Sequence, residues 1–104
     1  MDNAQRNLLE AKIIRKLASM LMSAGYTLSV DTLEAVTKCP TSAKVVEHAT
    51  SVDEAWIICE KDGRKPQVYI VLGNGTDILT DWNMSLDAIV SPVCDWAQSP
   101  AVLA

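Results

Sequence analysis

Residues 54 to 82, EAWIICEKDGRKPQVYIVLGNGTDILTDW, constrain the fold more than any other stretch. Glu54 to Lys61 and Pro66 to Leu72 are rich in β-branched and aromatic residues, which suit a pleated, half-buried surface. Between them Lys61-Asp62-Gly63-Arg64 carries an Asp-Gly pair, the chemistry of a tight turn whose central residues need positive φ. Gly73-Asn74-Gly75 supplies a second hairpin signal, and Thr76 to Thr80 then reads as a third strand ending at Asp81-Trp82-Asn83. An antiparallel meander is expected, a feature that specifies a fold and not a chemistry.

The rest of the chain must clothe that meander. At 104 residues one domain, 1–104, is expected. The hydrophobic fraction is 49% with no phenylalanine, so the interior must be filled mainly by aliphatic side chains. A net charge of −4 provides no broad cationic field, which argues against nucleic acid as the default partner. The longest apolar-rich stretch, Leu8 to Ala24, is interrupted by Glu10, Lys12, Arg15 and Lys16. Neither a signal peptide nor a membrane span fits it, and a cytoplasmic location follows as the expectation. Cys39, Cys59 and Cys94 are odd in number and lack metal-ligand spacing, so free thiols and no structural metal are expected.

Residues 3 to 24 place Leu9, Ile13, Leu17, Met20, Leu21 and Ala24 at helical spacing, with Asp2 or Asn3 as N-cap and Gly25 as the stop. Leu8, Ile14, Ala18 and Met22 widen the apolar stripe, so this helix calls for neighbours on more than one side. Its polar side gathers Arg6, Lys12, Arg15 and Lys16, a basic stripe that reads first as a solvated face and second as a contact for nucleic acid or an acidic partner. Tyr26 to Val30 reads as a strand. Leu33 to Cys39 reads either as a second strand or, over Asp31 to Lys38, as a helix whose capping box is Asp31 and Glu34. Thr41 or Ser42 caps a short helix reaching about Ala49. Near the end, Pro92 should interrupt any helix begun at Asn83 to Val90, with Ser91 capping a restart that carries Val93, Cys94, Trp96 and Ala97. Ala101 to Ala104 form a tail that docks or frays. The expected fold class is α+β: an antiparallel sheet of the meander plus one or two N-terminal strands, packed with a long first helix, a short middle helix and a C-terminal helix.

GYTLSV at residues 25 to 30 and LGNGTDILTDWNMSLD at 72 to 87 resemble a family of small, mostly uncharacterised proteins carried by bacteriophages, prophages and plasmids. The more specific match is Gly73, Asn74, Gly75, Asp77, Ile78, Leu79, Asp81 and Trp82. The resemblance implies an α+β sheet protein of phage or bacterial origin and transfers no activity.

No constellation of residues specifies catalysis, cofactor binding or a metal. Gly73-Asn74-Gly75 lacks the third glycine and following helix of a dinucleotide loop, because Ile78 and a strand follow. Asp77 and Asp81 are too few for a hard cation without further oxygen ligands. Asp87 precedes the expected final helix and should be solvated. His48, the only histidine, sits near a helix end with no Ser or Cys motif around it. Cys94 at a helix start is the best nucleophile candidate, because a helix N-terminus lowers a thiol pKa, yet no partner base accompanies it.

Three function classes follow. One is a non-enzymatic accessory factor of phage or mobile-element origin that acts by binding a host bacterial protein, inhibition being one form such binding takes. Another is an acidic nucleic-acid mimic or inhibitor of a nucleic-acid-binding defence protein. The last is a small ligand binder or enzyme with a site near Trp82, Asp81 and Cys94. A homodimer is also expected, because Trp56 and Ile58 on one face of the first meander strand and Ala55, Ile57 and Cys59 on the other leave neither face polar. The middle helix, roughly 13 Å long at 1.5 Å per residue, cannot shield three strands. A helical Asp31 to Lys38 would supply the missing cover within one chain.

Overall fold

The computed structural model describes residues 2–103 and is an α+β fold: a helical layer on one face of a five-stranded antiparallel sheet. The elements run α1 Asn3–Ser23, β1 Thr27–Asp31, β2 Val36–Cys39, α2 Ser42–Ala49, β3 Glu54–Glu60, β4 Gln67–Val71, β5 Leu79–Trp82 and α3 Asp87–Ala97. Single 3-10 turns flank α3 at Met84–Leu86 and Pro100–Leu103. Strand order is β2-β1-β3-β4-β5, which puts β3 at the centre. Because β1 runs antiparallel to both of its neighbours, β2 and β3 are parallel with β1 between them, and α2 is the connection that crosses over it.

Local chemistry explains most boundaries. Asp2 caps α1, its Oδ1 accepting from the Gln5 amide at 2.8 Å while the Gln5 side chain accepts from the Asp2 amide at 3.2 Å. Gly25 at φ 96° ends that helix in the left-handed region. Thr41 caps α2 by accepting from the Lys44 amide at 3.2 Å. Asp62 and Gly63, at φ 54° and 77°, form the tight turn between β3 and β4, closed by a pair of 3.0 Å bonds between Lys61 and Arg64.

Residues 31 to 38 resolve in favour of the strand. Asp31 spends its carboxylate on the Leu33 amide at 2.8 Å, Leu33 adopts φ 74°, and Thr32 donates to the Ala35 carbonyl at 3.1 Å. The Asp side chain that could cap a helix makes a local turn instead, and β1 and β2 close as a hairpin. The alternative internal cover for the sheet therefore does not exist.

Two expectations are corrected and an open one is decided. The last strand is Leu79–Trp82, not Thr76 to Thr80, since Thr76 and Asp77 belong to the connection after β4. α3 runs unbroken through Pro92, with no restart at Ser91. Pro92 is exposed on the outer side of the helix, so the loss of its N–H leaves the Ala88 carbonyl to solvent and not to the core. The tail docks through Val102, which is buried and whose carbonyl accepts from Lys12 Nζ at 2.7 Å, while Ala104 lies outside the described residues.

One core lies between sheet and helices. It takes Leu9, Ile13, Ile14, Leu17 and Leu21 from α1, Val45 and Ala49 from α2, and Val90 and Val93 from α3. From the sheet it takes Leu28, Val30, Ala55, Ile57, Cys59, Val68 and Ile70. Ile78 joins them, whereas Ile58, Val71 and Leu72 are only half-buried. Leu8 and Met20 face outward from α1 and are exposed, so the stripe is narrower than the spacing suggested. Among the described residues no helix is long and apolar enough to cross a membrane.

Candidate functional site: the open face of the sheet

With α1, α2 and α3 all on one side, the other face of the sheet stands bare. Register fixes its composition, because cross-strand partners point the same way. One row across all five strands reads Val36, Asp31, Trp56, Tyr69, Asp81; the next reads Lys38, Ser29, Ile58, Gln67. Glu54 and Val71 pair beside the first row, and Thr27 and Glu60 beyond the second. Val36 is 60% exposed.

At the centre Trp56 and Tyr69 stack, ring centroids 4.4 Å apart and planes inclined by 24°. The Tyr69 hydroxyl donates to Glu54 Oε1. Each ring keeps its second face turned away from the other ring. On the Trp56 side the cross-strand neighbour is Asp31, and on the Tyr69 side it is Asp81. Asp81 reaches that position through a bulge: Tyr69 pairs with Asp81 and Ile70 with Leu79, leaving Thr80 extra, its hydroxyl bonded to the Tyr69 carbonyl at 3.2 Å. Both aspartates use Oδ1 locally, Asp31 on the Leu33 amide and Asp81 on the Trp82 amide, which orients the carboxylates while leaving Oδ2 for other contacts.

The residues singled out in the sequence are dispersed. Trp82 pairs with Val68 and lies on the helix side of the sheet, opposite to Asp81, so the two do not form one site. Trp82 Nε1 donates to Asp87 Oδ1 at 3.0 Å, so Asp87, the first residue of α3, is a half-buried partner of Trp82 and not a freely solvated residue ahead of the helix. Cys94 sits well inside α3, away from the helix N-terminus, and burial, with Asp95, Asp77 and Asp87 around it, raises its thiol pKa. This is the reverse of an activated nucleophile. Burial also raises Cys39 and pushes Cys59 up to about 12. All three cysteines are free. His48 is at the last turn of α2 with Nε2 3.5 Å from Glu47.

The basic stripe of α1 is partly occupied by the chain itself, with Lys12 and Lys16 over the Trp96 ring at 6.0 and 5.4 Å. A shallow cleft of about 450 Å³ lies between α1 and the β4–β5 connection, lined in part by Arg6, Glu10, Ser51 and Gly73; a second of about 370 Å³ involves Tyr26, Lys61 and Arg64. Neither includes Trp82, Asp81 or Cys94. Among the described residues no group of His, Cys, Asp and Glu could hold a metal ion. Comparison with family models, with curated proteins and with solved structures finds no match to this chain.

Proposed function

We propose that the protein is a non-enzymatic binding module whose open sheet face docks a separate, positively charged protein. The observation that carries this reading is the stacked Trp56–Tyr69 pair at the middle of an uncovered sheet, flanked by Ile58, Val71 and Val36. Aromatic anchors at the centre of a patch with a polar rim are the usual anatomy of a protein interface. The rim is acidic on balance: Asp31, Glu54, Glu60 and Asp81 against Lys38 and Lys65, the latter at the register position opposite Glu60. Face-to-face pairing of two copies would bring one net acidic face against another, so complementarity supports a cationic partner over the homodimer expected from the apolar pattern alone. The likeness of Gly73–Trp82 to small phage and plasmid proteins supports a host bacterial protein, met in the cytosol, as that partner.

The same acidic rim favours a narrower second reading, that the partner is a nucleic-acid-binding protein whose cationic groove the face occupies. Competition by duplex DNA for the complex separates the two.

The test is affinity capture from bacterial lysate with wild type and with the Trp56→Ser/Tyr69→Ser variant, followed by direct binding with the purified captured protein. The reading requires saturable binding weakened at least tenfold in the variant. Equal binding by both would overturn it. So would a solution mass of twice 11.3 kDa for wild type that becomes a monomer mass in the variant, since the face would then belong to a second copy.

A further inference from the structure

The chain itself shows how its aromatics are used. Its lysines stand over rings at Trp96, from Lys12 and Lys16, and at Tyr26, where Lys61 Nζ lies 5.3 Å from the centroid. Lys61 is fixed there by donating to the Ala24 carbonyl at 2.7 Å. Cation and ring are thus paired on the helical side and at the β3–β4 turn. On the open face the pattern is inverted, with rings and carboxylates together and Lys38 one row removed. A ring face attracts a cation by its quadrupole, and an adjacent carboxylate adds directional hydrogen bonding.

We infer that the open face recognises arginine or lysine side chains of its partner, seated against the outer ring faces of Trp56 and Tyr69 and held by Asp31 and Asp81 respectively. This rests on the protein-binding reading and specifies the chemistry of the bound segment. Two cation positions lie on either side of one aromatic stack, in the cross-strand order Asp31, Trp56, Tyr69, Asp81. Strands stand about 4.8 Å apart, so two carboxylates separated by three such steps lie about 14 Å apart. An extended segment laid across the strands spans that distance in about four residues at 3.3 Å each. The bound segment therefore carries two basic residues about four apart. Arginine fits better than lysine, because its planar guanidinium stacks on a ring while donating sideways to a carboxylate.

A random peptide library displayed on phage and selected on wild type, with counter-selection on Trp56→Ser/Tyr69→Ser, reads this out. The inference expects enrichment of peptides with paired Arg or Lys, whose synthetic forms lose at least fivefold in affinity against Asp31→Asn/Asp81→Asn and weaken with added salt. Asparagine keeps size and local amide acceptance, and circular dichroism with a thermal melt confirms that each variant folds. Face-dependent peptides without basic residues, or ones indifferent to the aspartate change, would overturn the cationic inference and leave the docking reading standing. Enrichment of no face-dependent peptide would overturn both.

Discussion

Glu10 on α1 reaches across to the β4–β5 connection, where its Oε2 accepts hydrogen bonds from both the Gly73 amide at 2.9 Å and the Gly75 amide at 2.8 Å. The residue is 2% exposed, and the carboxylate does for this connection what a capping side chain does for a helix end. On the other side of the loop, Thr76 and Gln98 exchange two 3.2 Å hydrogen bonds. Glu10→Ala should cost about 1.5–3 kcal/mol, the range for hydrogen bonds to a charged group. Glu10→Gln, which keeps an acceptor oxygen, should cost less. Urea denaturation gives the loss, and faster amide exchange at Gly73 and Gly75 locates it.

Two isoleucines on opposite faces should separate core from surface. Ile70 is fully buried beneath the helices, and Ile70→Ala should cost about 2–4 kcal/mol through lost transfer energy and a residual cavity. Ile58 is half-buried on the open face, so Ile58→Ala should cost about 1 kcal/mol. Equal losses in urea denaturation would contradict the assignment of faces.

The turn at Asp62 and Gly63 offers a backbone test free of packing. A Cβ added at Gly63 meets nothing within 4 Å, but φ is 77°. Gly63→Ala should therefore lose about 1–2 kcal/mol from backbone strain alone, read by thermal melting.

Cys59 makes stability depend on alkaline pH. Burial pushes its thiol up from the ordinary range to about 12, so the folded chain keeps the proton that the unfolded chain releases. The contribution is fully present below about pH 9 and is lost as pH rises towards 12, at about 1.4 kcal/mol per pH unit within that window. Denaturation midpoints should be level from pH 7 to 8.5 and fall above pH 9, with a shallower fall in Cys59→Ala. Cys39 and Cys94, also raised, account for a residual slope.

The central aromatic pair was already legible in the chain. Once Asp62-Gly63 is a two-residue turn, counting outward from it sets Trp56 opposite Tyr69, as the register has it. Their two carboxylate neighbours were not legible. Asp31 meets Trp56 through pairing of β1 with β3, a contact separated by a hairpin and a helix that no local periodicity encodes. Asp81 meets Tyr69 only because the bulge at Thr80 shifts the register by one. Glu10 reads locally as one more charge interrupting an apolar stretch, and its role depends on where the β4–β5 loop lands. Pro92 misled for a related reason: a helix tolerates the lost hydrogen bond when the orphaned carbonyl faces water, and exposure is a tertiary fact. Residues 31–38 fit strand and helix equally until the Asx-turn at Asp31 and the positive φ of Leu33 decide between them.

The account turns on the open sheet face being the docking surface, and backbone amide chemical shifts measured while titrating in a selected peptide test this directly. Shifts should concentrate at Ser29, Asp31, Trp56, Ile58, Tyr69 and Asp81, with the Trp56 indole N–H among the largest, while the outer surfaces of α1 and α3 stay unchanged. Saturable shifts clustered instead around Arg6, Ser51 and Gly73, or along α1, would contradict it.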